Sequence, residues 1–296
     1  MATDELITEA RSERPDYDLS STAELVALMN LEDAAVPGAV AEIAAELADA
    51  IDGVVERLHG GGRLIYVGAG SSGHIAALDA GECEATFSTE PGQVVALVAG
   101  AGLDSAEARE AAEDDGAAGR RAVEELGISS RDAVVCISAS GRTPYVVEAL
   151  EAAAGARALT VAVVAVRDSR LASIADRELA AVVGPEFVAG STRLKAGTAQ
   201  KLVLNTISTV AMIRLGKTYG DLMVDVRTSN RKLAARARRI VQAATGVSDD
   251  EAETALAEAG GSAKVAIVAL LARTNATGAR ERLERAGGVI RTALER

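Results

Sequence analysis

Short apolar runs alternate with longer helix-like stretches over the first 184 residues of the chain. Five of these runs are rich in strand-forming residues, which predicts buried strands that begin near Arg63, Gln93, Asp132, Ala158 and Glu178. Helical stretches separate consecutive runs, and this alternation is typical of a parallel sheet that is covered by helices on both faces. We therefore expect an α/β fold of the doubly wound kind.

Helical patterns precede, separate and follow these runs. Ser21 and Glu24 form a capping-box pattern that opens a short helix through Leu31, and Pro37 suits the first turn of a long helix ending near His59. Further helices are predicted over three stretches: 105–126, 194–215 and one from about Asn230.

The predicted organisation has three parts. An N-terminal helical arm covers 1–58, an α/β domain covers 59–230, and a small C-terminal helical subdomain covers 231–296. Within the last part, Ser248 precedes a run of acids and suits the N-cap of a helix.

Composition narrows the classes of function. Hydrophobic residues make up 49% of the chain but aromatic residues only 2%, which argues against a stacking platform for single-stranded nucleic acid. The net charge of −12 repels a phosphate backbone, so we expect no nucleic-acid partner. No apolar run has the length of a membrane span and no signal peptide is evident, so we expect a cytoplasmic protein that binds no membrane. The two cysteines and two histidines are too few for a structural zinc site.

The first candidate binding segment is GAGSSG, which we call the first loop (Gly68–Gly73). It follows a predicted strand and matches a dinucleotide fingerprint, but the acid that would hold a ribose is missing after the next strand, at 99–101. Gly70 allows the turn, and Ser71 and Ser72 add hydroxyl donors to the N–H groups of a helix start, which suits a phosphate monoester. A tight turn without a ligand remains the alternative.

Two more segments carry hydroxyl or cationic side chains. The second loop, Ser138–Tyr145, also follows a strand, so it shares the carboxyl edge of the sheet with the first loop. The third loop, Gly190–Lys201, has hydroxyls and cations ahead of an apolar helix, which indicates an anion site or, alternatively, a solvated helix cap. The candidate ligands in these two loops are Ser138, Ser140, Thr143, Ser191, Thr192 and Lys195.

The three loops, in this order, resemble the sugar isomerase (SIS) domain and, more specifically, the N-acetylmuramic acid 6-phosphate etherase family. The resemblance covers nearly the whole chain. The stretches that carry it are GGGRLIYVGAGSSG, DAGECEATF, AEDD, SASGRTPYV, GSTRLKAGTAQKLVLN and YGDLMVDVRTSNRKL.

This resemblance implies a reaction and its catalysts. The family removes D-lactate from C3 of its substrate and adds water, which gives N-acetylglucosamine 6-phosphate during recycling of cell-wall sugars. It works as a homodimer without a metal or an organic cofactor. Its catalytic glutamates fall on Glu82 and Glu113. Because C2 must lose a proton and the lactyl oxygen must gain one, we assign Glu113 as the base and Glu82 as the acid.

The spacing of these residues bears on whether Glu82 can contact a substrate that is bound at the first loop of the same subunit. If one helix runs from Ser72 to Glu82, ten residues place the carboxylate about 15 Å from the first loop. Either Gly81 breaks the helix, or Glu82 completes the site of a neighbouring subunit. We therefore expect the sites of the homodimer to lie near the subunit interface.

Several positions depart from the family pattern, and they bear on how substrate is placed. The departures are His74 for arginine, Gly81 for serine, Glu84 and Ala85 for a proline pair, AVRDSR from Ala165 for SCNPGS, and Asp221 for asparagine. Two alternatives remain: a non-catalytic sugar-phosphate regulator like the glucokinase regulatory proteins, and an aldose–ketose phosphate isomerase of the same fold class. The presence of both Glu82 and Glu113 favours an enzyme over the regulator, and the stretch YGDLMVD with the helical C-terminus favours the etherase over the isomerase.

Overall fold

A computed structural model describes residues 7–11, 16–226 and 231–295. Its main sheet has five parallel strands in the order β2-β1-β3-β4-β5. The strands are β1 (Leu64–Gly68), β2 (Val94–Val98), β3 (Ala133–Ile137), β4 (Leu159–Val164) and β5 (Arg177–Ala180). Each matches one predicted apolar run, and the predicted α/β fold class is confirmed. The order reverses between β1 and β3, which is the switch point where doubly wound folds bind ligands.

Helices precede, separate and follow the strands. They are α1 (Thr22–Asp33), α2 (Val36–Ala41), α3 (Ala44–His59), α4 (Gly70–Phe87), α5 (Ala106–Glu113), α6 (Gly116–Glu125), α7 (Pro144–Gly155), α8 (Lys195–Arg214), α9 (Arg231–Thr245), α10 (Asp249–Glu258), α11 (Ala263–Leu271), α12 (Ala276–Arg285) and α13 (Ile290–Glu295). The predicted start of α9 near Asn230 lies outside the described residues. A short antiparallel hairpin of β6 (Thr218–Tyr219) and β7 (Leu222–Met223), which we did not predict, follows α8.

Two predicted helices are each broken into two. The helix expected over 105–126 ends at Glu113 and restarts as α6, because the Asp115 carboxylate accepts the Ala118 N–H at 2.9 Å and caps a new helix. The helix expected from Pro37 to His59 is interrupted at Ile43, which leaves helical geometry with a φ of −103° and a ψ of 18°.

Contacts between Cα atoms divide the chain into two units. One comprises Met1–Gly81 and Gly92–Ser208, and the other comprises Glu82–Pro91 and Thr209–Arg296. The division falls within α4 and α8. The predicted boundaries at residues 58 and 230 remain a proposal about domain organisation.

The first unit contains the sheet and its core. β1, β3 and β4 are buried along their whole length, which suits strands covered on both faces. Small residues bring helices close to the sheet: a Cβ on Gly53 of α3 would lie 2.8 Å from a Leu159 methyl group. The alanine-rich composition therefore provides close packing in place of large aromatic side chains.

The second unit contains the C-terminal helices around an apolar core of its own. Val241, Ile267 and Ile290 are buried there. The expected N-cap at Ser248 is present, since its hydroxyl accepts the Glu251 N–H and the Glu251 carboxylate accepts the Ser248 N–H at 2.9 Å. By length and composition, no individual helix in the described ranges could cross a bilayer, and one bent pair, α10 with α11, passes that test when taken together.

Candidate functional site

The first loop turns directly from the end of β1 into α4. Gly70 has a φ of +50°, a left-handed conformation that favours glycine. A Cβ on Gly73 would lie 2.7 Å from the Val98 side chain, so the first turn of α4 packs closely on the neighbouring strand. Ser71 is exposed and Ser72 is half-buried. The helix start thus presents N–H groups and hydroxyls at the carboxyl edge of the sheet.

The second loop leaves the neighbouring strand at the same edge, because Gly68 of β1 pairs in register with Ile137 of β3. The Ser138 hydroxyl, which is nearly buried, lies 2.9 Å from the Thr143 hydroxyl and 3.4 Å from that of Ser140. The three hydroxyls predicted in this loop therefore form one cluster beside the switch point.

Glu113, the last residue of α5, lies against the start of α4. Its Oε1 would lie 2.7 Å from a Cβ on Gly70, so glycine at that position leaves room for the carboxylate. Burial is the largest cause that raises the pKa of Glu113, the charges of Glu110 and Asp114 raise it further, and His74 lowers it. The structure thus places a carboxylate with a raised pKa at the first loop, as a general base requires.

Glu82 is exposed on α4. The helix continues without a break from Gly70 to Phe87, so the break we considered at Gly81 does not occur. Ten residues separate Ser72 from Glu82, which is about 15 Å along the helix axis. A catalytic role for Glu82 remains a proposal.

Asp79, three residues before Glu82 on α4, is buried in a polar network. Its carboxylate accepts hydrogen bonds from the Tyr66 hydroxyl at 2.8 Å, from Asn205 Nδ2 at 2.6 Å and from the Ser208 hydroxyl at 3.1 Å. The network joins β1, α4 and α8. Sequence reasoning missed it because the four residues lie far apart along the chain.

The start of α8, in the third loop, is capped by an acid from the protein itself. Glu186 is fully buried, and its carboxylate accepts the N–H groups of Lys195 at 2.9 Å and Ala196 at 3.0 Å. The Lys195 ammonium lies 2.6 Å from Oε2 of Glu32 on α1, with only 4% of the lysine side chain exposed. Ser191 and Thr192, just ahead of α8, are half-buried. Lys195 therefore already pairs with an acid in this structure.

The N-terminal segment contacts the chain just before and within the third loop. The Gly190 N–H donates to the Thr8 carbonyl at 3.0 Å, and a Cβ on Gly190 would lie 2.6 Å from Oε2 of Glu9. The Tyr17 and Phe187 rings stack with centroids 4.2 Å apart. None of these contacts was predicted, although the TEARSE stretch of this segment belongs to the resemblance.

A further contact links the first loop to α8. The Ser72 hydroxyl donates to Oε1 of Gln200 at 2.9 Å, and Gln200 is 3% exposed. Gln200 lies in the AGTAQK stretch of the resemblance, but no role was predicted for it. Among the described residues, no three histidine, cysteine or acidic side chains are grouped as metal ligands.

Comparison with curated proteins places this arrangement in a family. The chain is 55% identical over 291 residues to a Rubrobacter xylanophilus protein, a match that covers 98% of this chain and 96% of the relative. It is 52% identical over 290 residues to a Streptomyces coelicolor protein, covering 98% and 93%. Both relatives are named N-acetylmuramic acid 6-phosphate etherase. The chain belongs to the N-acetylmuramic acid 6-phosphate etherase family.

Two other comparisons agree with the fold of this family member. Residues 46–154 match the family model of the glucokinase regulatory protein N-terminal SIS domain. Phosphoheptose isomerases from Neisseria gonorrhoeae and Francisella tularensis superpose with TM-scores of 0.52 and 0.53 at 19% and 18% identity. These matches cover 64% and 66% of this chain and 98% and 100% of the isomerases, and they show that the fold is shared.

Proposed function

We propose that the chain cleaves the D-lactyl ether of N-acetylmuramic acid 6-phosphate and yields N-acetylglucosamine 6-phosphate, a step in the recycling of cell-wall amino sugars. The observation that supports this most directly is the Glu113 carboxylate against Gly70, because it joins a base to the start of the first loop. Membership of the etherase family selects this reaction among those that need a base beside a sugar phosphate.

The proposed reaction begins at C2 of the open-chain sugar. The aldehyde at C1 acidifies the C2 proton, and Glu113 removes it. The electron pair forms a C2–C3 double bond as the C3–O bond to the lactyl group breaks, and Glu82 gives its proton to the departing oxygen. Water then adds its oxygen to C3 and gives a proton to Glu82, while Glu113 returns a proton to C2, which restores both carboxyl groups. Because two carboxyl groups handle both protons, we propose that the reaction uses no metal or organic cofactor.

The phosphate is proposed to bind at the carboxyl edge of the sheet. The α4 helix start supplies N–H donors, and a dianionic ester favours such a helix end. The proposed phosphate and sugar ligands are Gly70, Ser71, Ser72, Ser138, Ser140, Thr143, Ser191, Thr192 and Lys195. We propose that the partner is a small sugar phosphate rather than nucleic acid or a membrane, and that the enzyme is cytoplasmic.

We propose that the chain acts as a homodimer with sites near the subunit interface. Helix α1 has no buried residue, and it exposes Val26 and Leu31 by 56% and 65%. Apolar side chains in such positions are typical of an interaction surface. Because α4 is unbroken at Gly81, we further propose that Glu82 completes the site of the partner subunit.

An isotope experiment tests the reaction. The purified chain is incubated with N-acetylmuramic acid 6-phosphate in oxygen-18 water, and both products are examined by mass spectrometry. We expect one label at C3 of the sugar and unlabelled D-lactate. Label in the lactate instead would mean displacement at the lactyl carbon and would contradict elimination followed by hydration.

One observation favours a second candidate, a sugar-phosphate-binding regulator. The family model that matches residues 46–154 describes the N-terminal SIS domain of glucokinase regulatory protein. Such a regulator needs the loops but not a base, so binding of N-acetylglucosamine 6-phosphate without any release of D-lactate would support it over the etherase.

A further inference from the structure

Gln200 has an unusual hydrogen-bonding state for a buried amide. Its Oε1 accepts the Ser72 hydroxyl at 2.9 Å, and the side chain is 97% enclosed, with 3% exposed. Among the described residues, its buried Nε2 has no hydrogen-bond partner. Buried polar atoms in folded proteins are nearly always paired, so an unpaired amide nitrogen beside a candidate ligand loop points to a second hydrogen-bonding state of Gln200 when a ligand is bound.

Close packing fixes the helix on which Gln200 lies relative to the first loop. A Cβ on Gly197 of α8 would lie 3.6 Å from the Ile75 side chain of α4, so the two helices are in contact one turn beyond Ser72. Gln200 is one turn beyond Gly197 on the same helix. Its amide is therefore held beside Ser72 by the contact between α8 and α4.

The Gln200 amide can form a hydrogen bond with the Ser72 hydroxyl either as the acceptor or as the donor. Without phosphate, the hydroxyl donates to Oε1, as observed. A phosphate oxygen is a charged acceptor and makes a stronger hydrogen bond than an amide oxygen does. When Ser72 donates its one hydrogen to phosphate, Gln200 Oε1 loses its donor, but the Ser72 oxygen can still accept, and a half-turn of the Gln200 amide presents Nε2 as the donor. Oxygen and nitrogen of an amide have nearly the same shape, so this turn needs no repacking.

We propose that Gln200 is a positioning residue for phosphate binding: its buried amide holds the Ser72 hydroxyl both without ligand and, with Nε2 as donor, when the hydroxyl donates to the phosphate of the substrate. The inference rests on the proposed function for the identity of the sugar phosphate. A glutamate at this position would accept from Ser72 but could not donate to it, and it would add a negative charge beside the phosphate. A methionine at this position would neither accept a hydrogen bond from Ser72 as an amide oxygen does nor donate one to it.

A double-mutant cycle tests this role. Ser72→Ala, Gln200→Met and the double variant are compared for KM and kcat with N-acetylmuramic acid 6-phosphate, and for the affinity of N-acetylglucosamine 6-phosphate by calorimetry. We expect Gln200→Met to raise KM and to weaken product binding about tenfold, because Ser72 loses the partner that orients its hydrogen bond to the charged phosphate. We expect kcat to stay within about threefold of the wild-type value, since the reacting carbons are untouched.

The cycle separates positioning from a general packing role. If Gln200 acts through Ser72, the double variant binds no more weakly than Ser72→Ala alone. Additive losses, or unchanged affinity in Gln200→Met, would overturn the proposal. Thr206→Val is the matched control on α8, because the Thr206 hydroxyl donates to the Leu202 carbonyl of its own helix, and we expect it to leave affinity unchanged.

A second variant keeps the test decisive if Gln200→Met folds poorly. Gln200→Glu retains the acceptor for Ser72, and we expect it to weaken product binding more than tenfold because of the added charge; wild-type affinity in this variant would overturn the proposal. A wild-type chain that binds N-acetylglucosamine 6-phosphate but releases no D-lactate would contradict the proposed function alone, and the binding cycle would still decide the role of Gln200.

Discussion

At the scale of single residues, the surroundings of Glu113 set its chemistry. Burial is the largest cause that raises its pKa, and the charges of Glu110 and Asp114 raise it further. The next acid along the chain, Asp115, caps α6. The proposed role of Glu113 as the base came from the family resemblance, whereas the position of its carboxylate against Gly70 of α4 depends on tertiary packing, which no local pattern contains.

Replacing Glu113 should separate activity from stability. Burial raises the folded-state pKa of Glu113, so between the ordinary carboxyl pKa and this higher value the folded chain binds more protons than the unfolded chain. The contribution of this group to stability therefore falls as pH rises through that window. Glutamine carries no charge, so we expect Glu113→Gln to lower kcat at least about 100-fold and to raise the melting temperature at neutral pH. A lower melting temperature than that of the wild type would contradict this account.

His74 should tune the pH dependence of the reaction. Glu113 acts as a base only when ionised, so kcat/KM rises with pH through its pKa. His74 lowers that pKa, and in His74→Gln we expect the acid limb of the kcat/KM profile to move to higher pH. His74→Arg, which restores the usual family residue with a permanent charge, should move the limb the other way. Identical profiles for all three proteins would show that His74 does not act on the base.

At the scale of elements, local patterns predict the strands better than the ends of helices. All five strands of the main sheet match predicted apolar runs, and the match is clearest for β1, β3 and β4, because a strand buried on both faces needs an apolar side chain at nearly every position. The break at Ile43 was missed because the residues on both sides favour helix. The hairpin of β6 and β7 was missed because two residues per strand give no periodic signal.

The candidate site also contains parts that the sequence predicts and parts that it does not. The first and second loops could be predicted because glycine and serine directly follow strands of one parallel sheet. The contact of the Glu186 carboxylate with the start of α8 and the Glu32–Lys195 ion pair could not be predicted. They join residues 9 and 163 positions apart, and no local pattern links them. Sequence therefore predicts where a candidate ligand loop lies, while the side-chain contacts made by the residues of that loop depend on tertiary packing.

The Asp79 network should stabilise the elements that carry the first and third loops. Asp79→Ala would leave the Tyr66 hydroxyl, Asn205 Nδ2 and the Ser208 hydroxyl without their buried acceptor. We expect unfolding free energy to fall by about 2–4 kcal/mol, measured by urea denaturation. Asp52→Ala, which removes an exposed acid on α3, is the control and should change stability by less than about 0.5 kcal/mol. Equal effects of the two substitutions would contradict a stabilising role for the network.

At the scale of the whole molecule, the unbroken α4 limits how a site can be assembled. Ser72 and Glu82 lie about 15 Å apart along this helix, whereas Glu113 lies directly against its first residue. In the proposed reaction, the acid that protonates the lactyl oxygen has to come within hydrogen-bond reach of the same sugar that Glu113 is proposed to deprotonate. A homodimer can meet this requirement if each subunit supplies Glu82 to the site of its partner.

Mixed dimers should reveal such sharing. Glu82→Gln and Glu113→Gln subunits are inactive alone in this scheme, but a dimer with one of each contains one site with an intact Glu113 from one subunit and an intact Glu82 from the other. We therefore expect D-lactate release to reappear when the two variants are unfolded together and refolded. Each variant refolded by itself is the control. If both glutamates act within one subunit, no mixed dimer has a complete site, so continued inactivity of the refolded mixture would show that Glu82 serves its own chain.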